Sequence, residues 1–386
     1  MYKVQLFNKI SPKGLEMLGS NFEYGDDIEN PDAILLRSAS LHDYEFGENL
    51  LCIGRAGAGV NNIPLDKCGE NGIAVFNSPG ANANAVKELV LTALFMCSRD
   101  IAGGLKWVSE NAQDSEISKS AEKAKKAFAG CEIKGKTLGI IGLGAIGSLV
   151  ADAAIALGMD VLGYDPYLSL TSALRLNPNI KVVNKLDDIF EKSDYITLHL
   201  PVTESTKDMI SADQLIKCKD GVCIINMARA GLVNESDLIE SLNSGKVAKY
   251  STDFASKQLA NAKNTVVFPH LGASTKEAED NCAVMAAKEI KDYIENGNIL
   301  NSVNFPNLDM GPACAGKRLC AVHEADQKTA ANIHQVLVLS GNKSRTFVSK
   351  QKGNFAYTII DTENPISTET LKDIEGFESV FRARVI

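Results

Sequence analysis

Three polar residues follow short β-branched runs in the second half of the chain: Arg229 after GVCIINMA, Asp253 after KYST and His270 after TVVFP. In an open α/β sheet, strand ends are where ligands are placed. An arginine suits a carboxylate and a developing alkoxide through its fixed fork of donors. A histidine suits proton transfer near neutral pH. Oxidation of an α-hydroxy acid needs both: one group holds the carboxylate and polarises the C2 oxygen, the other takes the hydroxyl proton, and a cofactor accepts the hydride. Arg229 and His270 are therefore the candidate catalytic pair.

The hydride acceptor has its own signal. Gly142-Leu143-Gly144-Ala145-Ile146-Gly147 closes the run LGIIG and opens SLVADAAIALG, so this G-x-G-x-x-G stands between a strand pattern and a helix pattern. Gly142 permits the tight turn, Gly144 lets the backbone approach a pyrophosphate, and Gly147 lets helix and strand pack closely. The first helical turn, at Ala145 and Ile146, supplies unpaired N–H groups for the anion. Asp165 ends the next strand, 18 residues after Gly147, where a carboxylate can hydrogen-bond ribose hydroxyls. That carboxylate would repel a 2′-phosphate, and the next arginine, Arg175, is ten residues on, so the expected cofactor is NAD and not NADP.

These residues need a parallel sheet to hold them. From Lys134 to about Pro269 the chain repeats a β-branched run, a turn and a helical pattern: LGIIG, DVLGYD, YITLHL, GVCIIN, KYSTDF and TVVFPH alternate with stretches such as NESDLIESLNSG. The first hundred residues do the same with KVQLFN, AILLRS, LLCIGR and IAVFN. The expected class is α/β, with two Rossmann- or flavodoxin-like lobes. Residues 281–294 read as a long amphipathic helix, and NGNILNSVNFPNLDMGP reads as a linker broken by prolines and glycines. The last stretch has the β-α-β-β-α-β order of a ferredoxin-like module. The expected domains are 1–97 with 285–306 for substrate, 98–284 for NAD, and 313–386.

Composition narrows the function classes. The 386 residues are 45% apolar and 23% charged, as in a folded globular protein. A net charge of -8, from 40 basic against 48 acidic residues, gives no attraction to a nucleic-acid backbone. The glycine-rich TLGIIGLGAIGSLVA is too short for a membrane span. The N-terminal MYKVQLFNKI reads as a strand and not a signal peptide, so a cytoplasmic location is expected. Nine scattered cysteines read as reduced thiols, and none has zinc-site spacing. SEISKSAEKAKKAF reads as a solvated helix.

The blocks INMARAGLVNESDL, STDF and FPHLGASTKEAEDN, with IGRAGAGVNNI, resemble the signature blocks of the D-isomer-specific 2-hydroxyacid dehydrogenases. The resemblance covers essentially the whole chain. It implies the branch of that family that oxidises D-3-phosphoglycerate to 3-phosphohydroxypyruvate in serine biosynthesis. It places the carboxylate anchor on Arg229, the acid/base on His270 and the nicotinamide carboxamide contact on Asp253. His199, Pro201, Thr206, Ala228 and Gly272 complete the implied cofactor set. Arg37, Arg55, Ala58, Gly59, Asn77, Ser78 and Gly80 form the implied substrate set, with Arg37 on the substrate phosphate. The last module would be an ACT-like regulatory domain, and the assembly a homodimer or homotetramer. Two rival readings are a broader 2-ketoacid reductase, acting on hydroxypyruvate or 2-oxoglutarate, and a non-catalytic NAD-sensing scaffold.

Two departures stand out. Family members usually carry a glutamate about five residues after the Asp-Phe strand end, paired with the histidine. Here Asp253-Phe254-Ala255-Ser256-Lys257-Gln258 supplies only an amide, and no carboxylate follows before His270. Gln258 could orient an imidazole but could not stabilise an imidazolium by charge. Either turnover is slower or a carboxylate comes from elsewhere. Members that bind serine in the last module typically do so with a His-x-Asn pair and a following glycine, where this chain has His323, Ala325 and Lys328. Weak or absent serine feedback is expected.

Overall fold

Valine, isoleucine and leucine dominate the β-branched runs, and most of these runs become strands buried on both faces, as parallel sheets require. A computed structural model describes residues 1–386, the side chain of Gln327 excepted. The chain divides into two compact units, residues 1–82 with 276–386 and residues 83–275.

In the first unit, β1 (Tyr2–Phe7), β2 (Phe22–Gly25), β3 (Ala33–Leu36), β4 (Cys52–Arg55) and β5 (Ala74–Phe76) form a parallel sheet in the order β2-β1-β3-β4-β5. In the second, β6 (Thr137–Ile141), β7 (Asp160–Tyr164), β8 (Lys181–Val182), β9 (Tyr195–Leu198), β10 (Val222–Asn226), β11 (Val247–Thr252) and β12 (Thr265–Val267) run parallel in the order β12-β11-β10-β9-β6-β7-β8. The chain passes from β6 outward through β7 to β8, then returns to β9 on the other side of β6. The C-terminal ends of β6 and β9 are thus the topological switch point, where such a sheet opens a crevice.

The boundaries differ from the expected ones. Residues 97/98 and 284/285 lie in or at the end of continuous helices, Ala83–Ser98 and Lys276–Asn296, and the division falls at the helix starts. The first helix buries Val86, Val90, Ala93, Leu94 and Cys97 with Ile140, Val150 and Ile225, so it belongs wholly to the second unit. The other buries Ala283, Ala286, Ile290 and Tyr293 with Leu35, Cys52 and Phe76, so it belongs to the first.

The C-terminal module joins that first unit. Strands β13 (Arg318–Glu324), β14 (Ser344–Lys352), β15 (Phe355–Thr362) and β16 (Val380–Val385) form an antiparallel sheet in the order β14-β15-β13-β16. Helices Gln327–Leu339 and Thr368–Glu375 intervene, giving the chain order β-α-β-β-α-β. Alternation sends Leu319, Ala321 and Ile360 toward Ile333, Leu337 and Ile374 of those helices. Cys320, Val322, Tyr357 and Ile359 go into the core that also holds Phe76 and Tyr293. Arg318 fastens the junction: its guanidinium pairs with Asp361 at 2.7 Å and donates to the carbonyls of Asn296 and Gly311.

The expected linker is not a solvated tether. Ile299, Phe305 and Leu308 are fully buried, and the Val303 N–H donates to the Val75 carbonyl of β5. The charged stretch is a helix, Ile117–Ala124, with no buried residue. No helix among the described residues is long and apolar enough to cross a membrane. All nine cysteines are free.

Candidate active site

The second unit holds the expected cofactor and catalytic residues. Gly142 follows β6 at φ +96°, and a Cβ there would run into the carbonyl oxygen of His199 at the end of β9. The turn is open to glycine alone. A Cβ at Gly147 would strike the Gly142 carbonyl. Gly144 differs: it is the N-cap of helix Ala145–Ala156, has φ -72°, and a Cβ on it would meet nothing within 4 Å. The space over Gly144 leaves room for an anionic group against the N–H groups of the first turn. Asp165 lies after β7, accepting from the N–H groups of Leu143 and Tyr167 at 3.0 and 2.9 Å. The carboxylate is thereby fixed to the glycine turn.

His199 is buried. Its Nε2 lies 3.0 Å from Thr197 Oγ1, its Nδ1 has no partner, and burial pushes its pKa down to about 3. It is therefore neutral at working pH and no candidate for the acid/base role. Pro201 and Thr206 close the loop after it, the Thr206 hydroxyl donating to the Pro201 carbonyl at 2.7 Å.

Ala228 and Arg229 follow β10 in a turn shaped by Asn226. The buried amide oxygen of Asn226 accepts from the N–H groups of both, and its Nδ2 donates to the Arg229 carbonyl at 2.8 Å. This holding role was not foreseen. In sequence Asn226 is only an asparagine ending an apolar run three residues before the arginine. Arg229 itself is exposed, with one guanidinium nitrogen on the Ala228 carbonyl at 2.7 Å.

Asp253 and His270 are neighbours. The His270 N–H donates to the Asp253 carbonyl at 3.0 Å, and the ring stands edge-on to Phe254 with centroids 5.2 Å apart. His270 has φ +52°, a left-handed conformation uncommon outside glycine, which aims an exposed ring out of the turn. The Asp253 carboxylate is 2% exposed; Oδ2 accepts from the Gly272 N–H at 3.0 Å while Oδ1 has no partner. Burial raises its pKa, opposed by the Gly272 N–H, His270 and Arg229. An orphaned carboxylate oxygen beside these residues suits an amide donor such as a carboxamide. Gln258 lies on helix Lys257–Asn261, whose cap Ser256 donates to Glu235 at 2.7 Å.

The expected substrate residues lie in the first unit, around the ends of β3 and β4. Arg37 is ion-paired with Glu279 at 2.7 Å, a partner not foreseen from sequence. Arg55 Nε donates to the Arg37 carbonyl, and the buried Ser78 hydroxyl lies within hydrogen-bonding distance of the Arg55 and Cys282 carbonyls. The Asn77 amide donates to the Ala58 carbonyl at 2.6 Å, tying the segment Asn77–Gly80 to the turn that carries Ala58 and Gly59. Gly80 has φ +78°.

Residues 91–272 match the model of the D-isomer specific 2-hydroxyacid dehydrogenase NAD binding domain. A hydroxypyruvate reductase of Thermotoga maritima is 38% identical over 275 residues, 68% of this chain and 85% of that protein. The chain belongs to the D-isomer specific 2-hydroxyacid dehydrogenase family. It carries that family's NAD-binding domain, in which the glycine turn, Asp165 and Asp253 all lie. A D-3-phosphoglycerate dehydrogenase of Methanocaldococcus jannaschii is 35% identical over 292 residues, 73% of this chain and 53% of that one. The chain thus spans about half the length of that relative. Among solved structures of the family, the NAD+-bound 3-phosphoglycerate dehydrogenase of Entamoeba histolytica superposes with a TM-score of 0.62 at 27% identity, over 80% of this chain and 99% of that one.

Proposed function

We propose that this 2-hydroxyacid dehydrogenase oxidises D-3-phosphoglycerate at C2 to 3-phosphohydroxypyruvate with NAD, the first step of phosphorylated serine biosynthesis. The observation that carries the reading is the turn pair after β10 and β12, which presents an exposed arginine and an exposed histidine beside a buried carboxylate. The names of the Methanocaldococcus and Entamoeba relatives support the substrate, and the Thermotoga relative keeps hydroxypyruvate reduction as the nearest alternative.

Arg229 holds the substrate carboxylate and polarises the C2 oxygen through its fixed fork of donors. His270 Nε2 or Nδ1 takes the hydroxyl proton as the C2 hydrogen departs. Bound NAD supplies the acceptor for that hydrogen as hydride. The glycine turn and the Asp165 carboxylate hold the dinucleotide phosphates and ribose, and Asp253 Oδ1 takes the carboxamide. His270 and Arg229 both lower the Asp253 pKa against the effect of burial, so the three charges lie within reach of one another. Arg37 and Arg55 take the substrate phosphate, with Arg37 exchanging Glu279 for it.

Arg37→Gln tests the substrate. It should lower kcat/KM for D-3-phosphoglycerate by about 100-fold, the loss of a charge-assisted pair, and leave D-glycerate within a few-fold. Equal losses on both would point to the broader 2-ketoacid reductase. The C-terminal β-α-β-β-α-β module is, in the same proposal, a ferredoxin-like ACT domain kept for assembly into a dimer or tetramer. His323 is fully buried, with Nδ1 on the Glu324 carbonyl at 2.7 Å and Nε2 on Thr358 Oγ1 at 2.8 Å, which leaves no ring nitrogen for an amino-acid ligand. Micromolar serine binding in a calorimeter would contradict it.

A further inference from the structure

A cavity of about 720 Å³ lies within the first unit, between β14 and the segment that follows helix Lys276–Asn296. Its wall carries two ammonium groups, Lys350 and Lys352, and the amide side chains of Asn77, Asn301, Asn307 and Gln351, with no carboxylate among the lining residues. Neither lysine makes an ion pair among the described residues. Each is held by a single backbone acceptor, Lys350 Nζ on the Asn307 carbonyl at 3.0 Å and Lys352 Nζ on the Ser302 carbonyl at 2.8 Å. An ammonium has three donors, so two on each remain for a ligand.

The surroundings keep that positive charge uncompensated. Lys352 is exposed along its stem, and desolvation near its ammonium lowers its pKa. Asn301 donates to the buried Glu289 at 2.7 Å, and burial raises that carboxyl to about 8. Glu289 is therefore mostly uncharged at pH 7 and does not neutralise the lysines. Amides ringing two ammoniums suit a ligand with anionic oxygens and hydroxyl groups.

We propose that this cavity is a second binding site, for a small phosphorylated metabolite, which holds the phosphate on Lys350 and Lys352 and reaches Asn77. The site lies apart from Arg37 and Arg55, neither of which lines it. Through Asn77, which bonds the Ala58 carbonyl, an occupant braces the turn that carries Arg55 to Gly59.

Inorganic phosphate is the probe, titrated into the full chain by calorimetry against chloride at matched ionic strength. The parent and Arg37→Gln should bind phosphate alike at this site, and Lys350→Gln with Lys352→Gln should weaken it at least tenfold, with chloride giving no heat. Lys350→Gln alone, at an exposed side chain, should weaken it several-fold and serves the comparison if the double substitution lowers thermal stability. The proposal is overturned if the lysine variants bind as the parent does, if Arg37→Gln abolishes all binding, if chloride competes equally, or if the parent binds no phosphate. None of these readings depends on turnover, so a failure of the dehydrogenase assignment leaves the test intact.

Discussion

At the residue scale, the two outer glycines of the turn and the middle one do different work, and substitution separates them. Alanine at Gly142 must adopt φ +96° against the His199 carbonyl, so Gly142→Ala should cost roughly 2 kcal/mol of stability or more. Alanine at Gly144 has an allowed backbone and meets no protein atom. Gly144→Ala should melt within about a degree of the parent yet bind NAD at least tenfold more weakly, because its methyl occupies the place of the pyrophosphate. Thermal melts and NADH fluorescence titration check both. A Gly144→Ala protein with parental NAD affinity would show that the pyrophosphate does not sit over Gly144. The glycine spacing was legible in sequence because each position has a distinct steric requirement. Asn226 and Glu279 were not, since a buried amide and an exposed carboxylate read as ordinary until their partners are seen.

At the element scale, helix Lys276–Asn296 buries a carboxyl. Glu289 is 8% exposed and has one unpartnered oxygen, and burial lifts its pKa to about 8. From about pH 4.3, where an unfolded glutamate ionises, up to about pH 8, the folded chain keeps a proton that the unfolded chain has lost. The folded state binds more protons, so this group's contribution is complete below that window and declines as pH rises through it. Glu289→Gln keeps an acceptor for Asn301 and removes the titration. It should flatten the pH dependence of denaturant stability between pH 5 and 8.5 and gain at least about 1 kcal/mol at the upper end. An unchanged slope would show the carboxyl ionising freely. The helix itself was legible from its spacing, though its first turn was missed: Lys276, Glu277, Glu279 and Asp280 give no apolar period there, although Ala278 and Asp280 are both buried.

At the scale of the whole molecule, sequence alternation sufficed for the two parallel sheets and the last β-α-β-β-α-β run, because each run's length and flanking turns allow few arrangements. It did not show that the last module shares a core with the first lobe. Cys320, Val322, Tyr357 and Ile359 read as one buried strand face, and nothing in a period of two says which partner covers it. The linker was misjudged for the same reason, its prolines and glycines masking Ile299, Phe305 and Leu308. The residues of the reaction were the more legible part, since arginine, aspartate and histidine after strand ends have a stated chemistry. The dehydrogenase reaction rests on them. Its most direct test is NADH formation from D-3-phosphoglycerate and NAD by the full chain, beside Arg229→Ala and His270→Ala. Turnover is expected in the parent, with a loss of about 10²–10⁴ in kcat/KM for each variant and NAD affinity kept. No turnover in either direction by a parent that binds NAD, or parental rates in both variants, would contradict it.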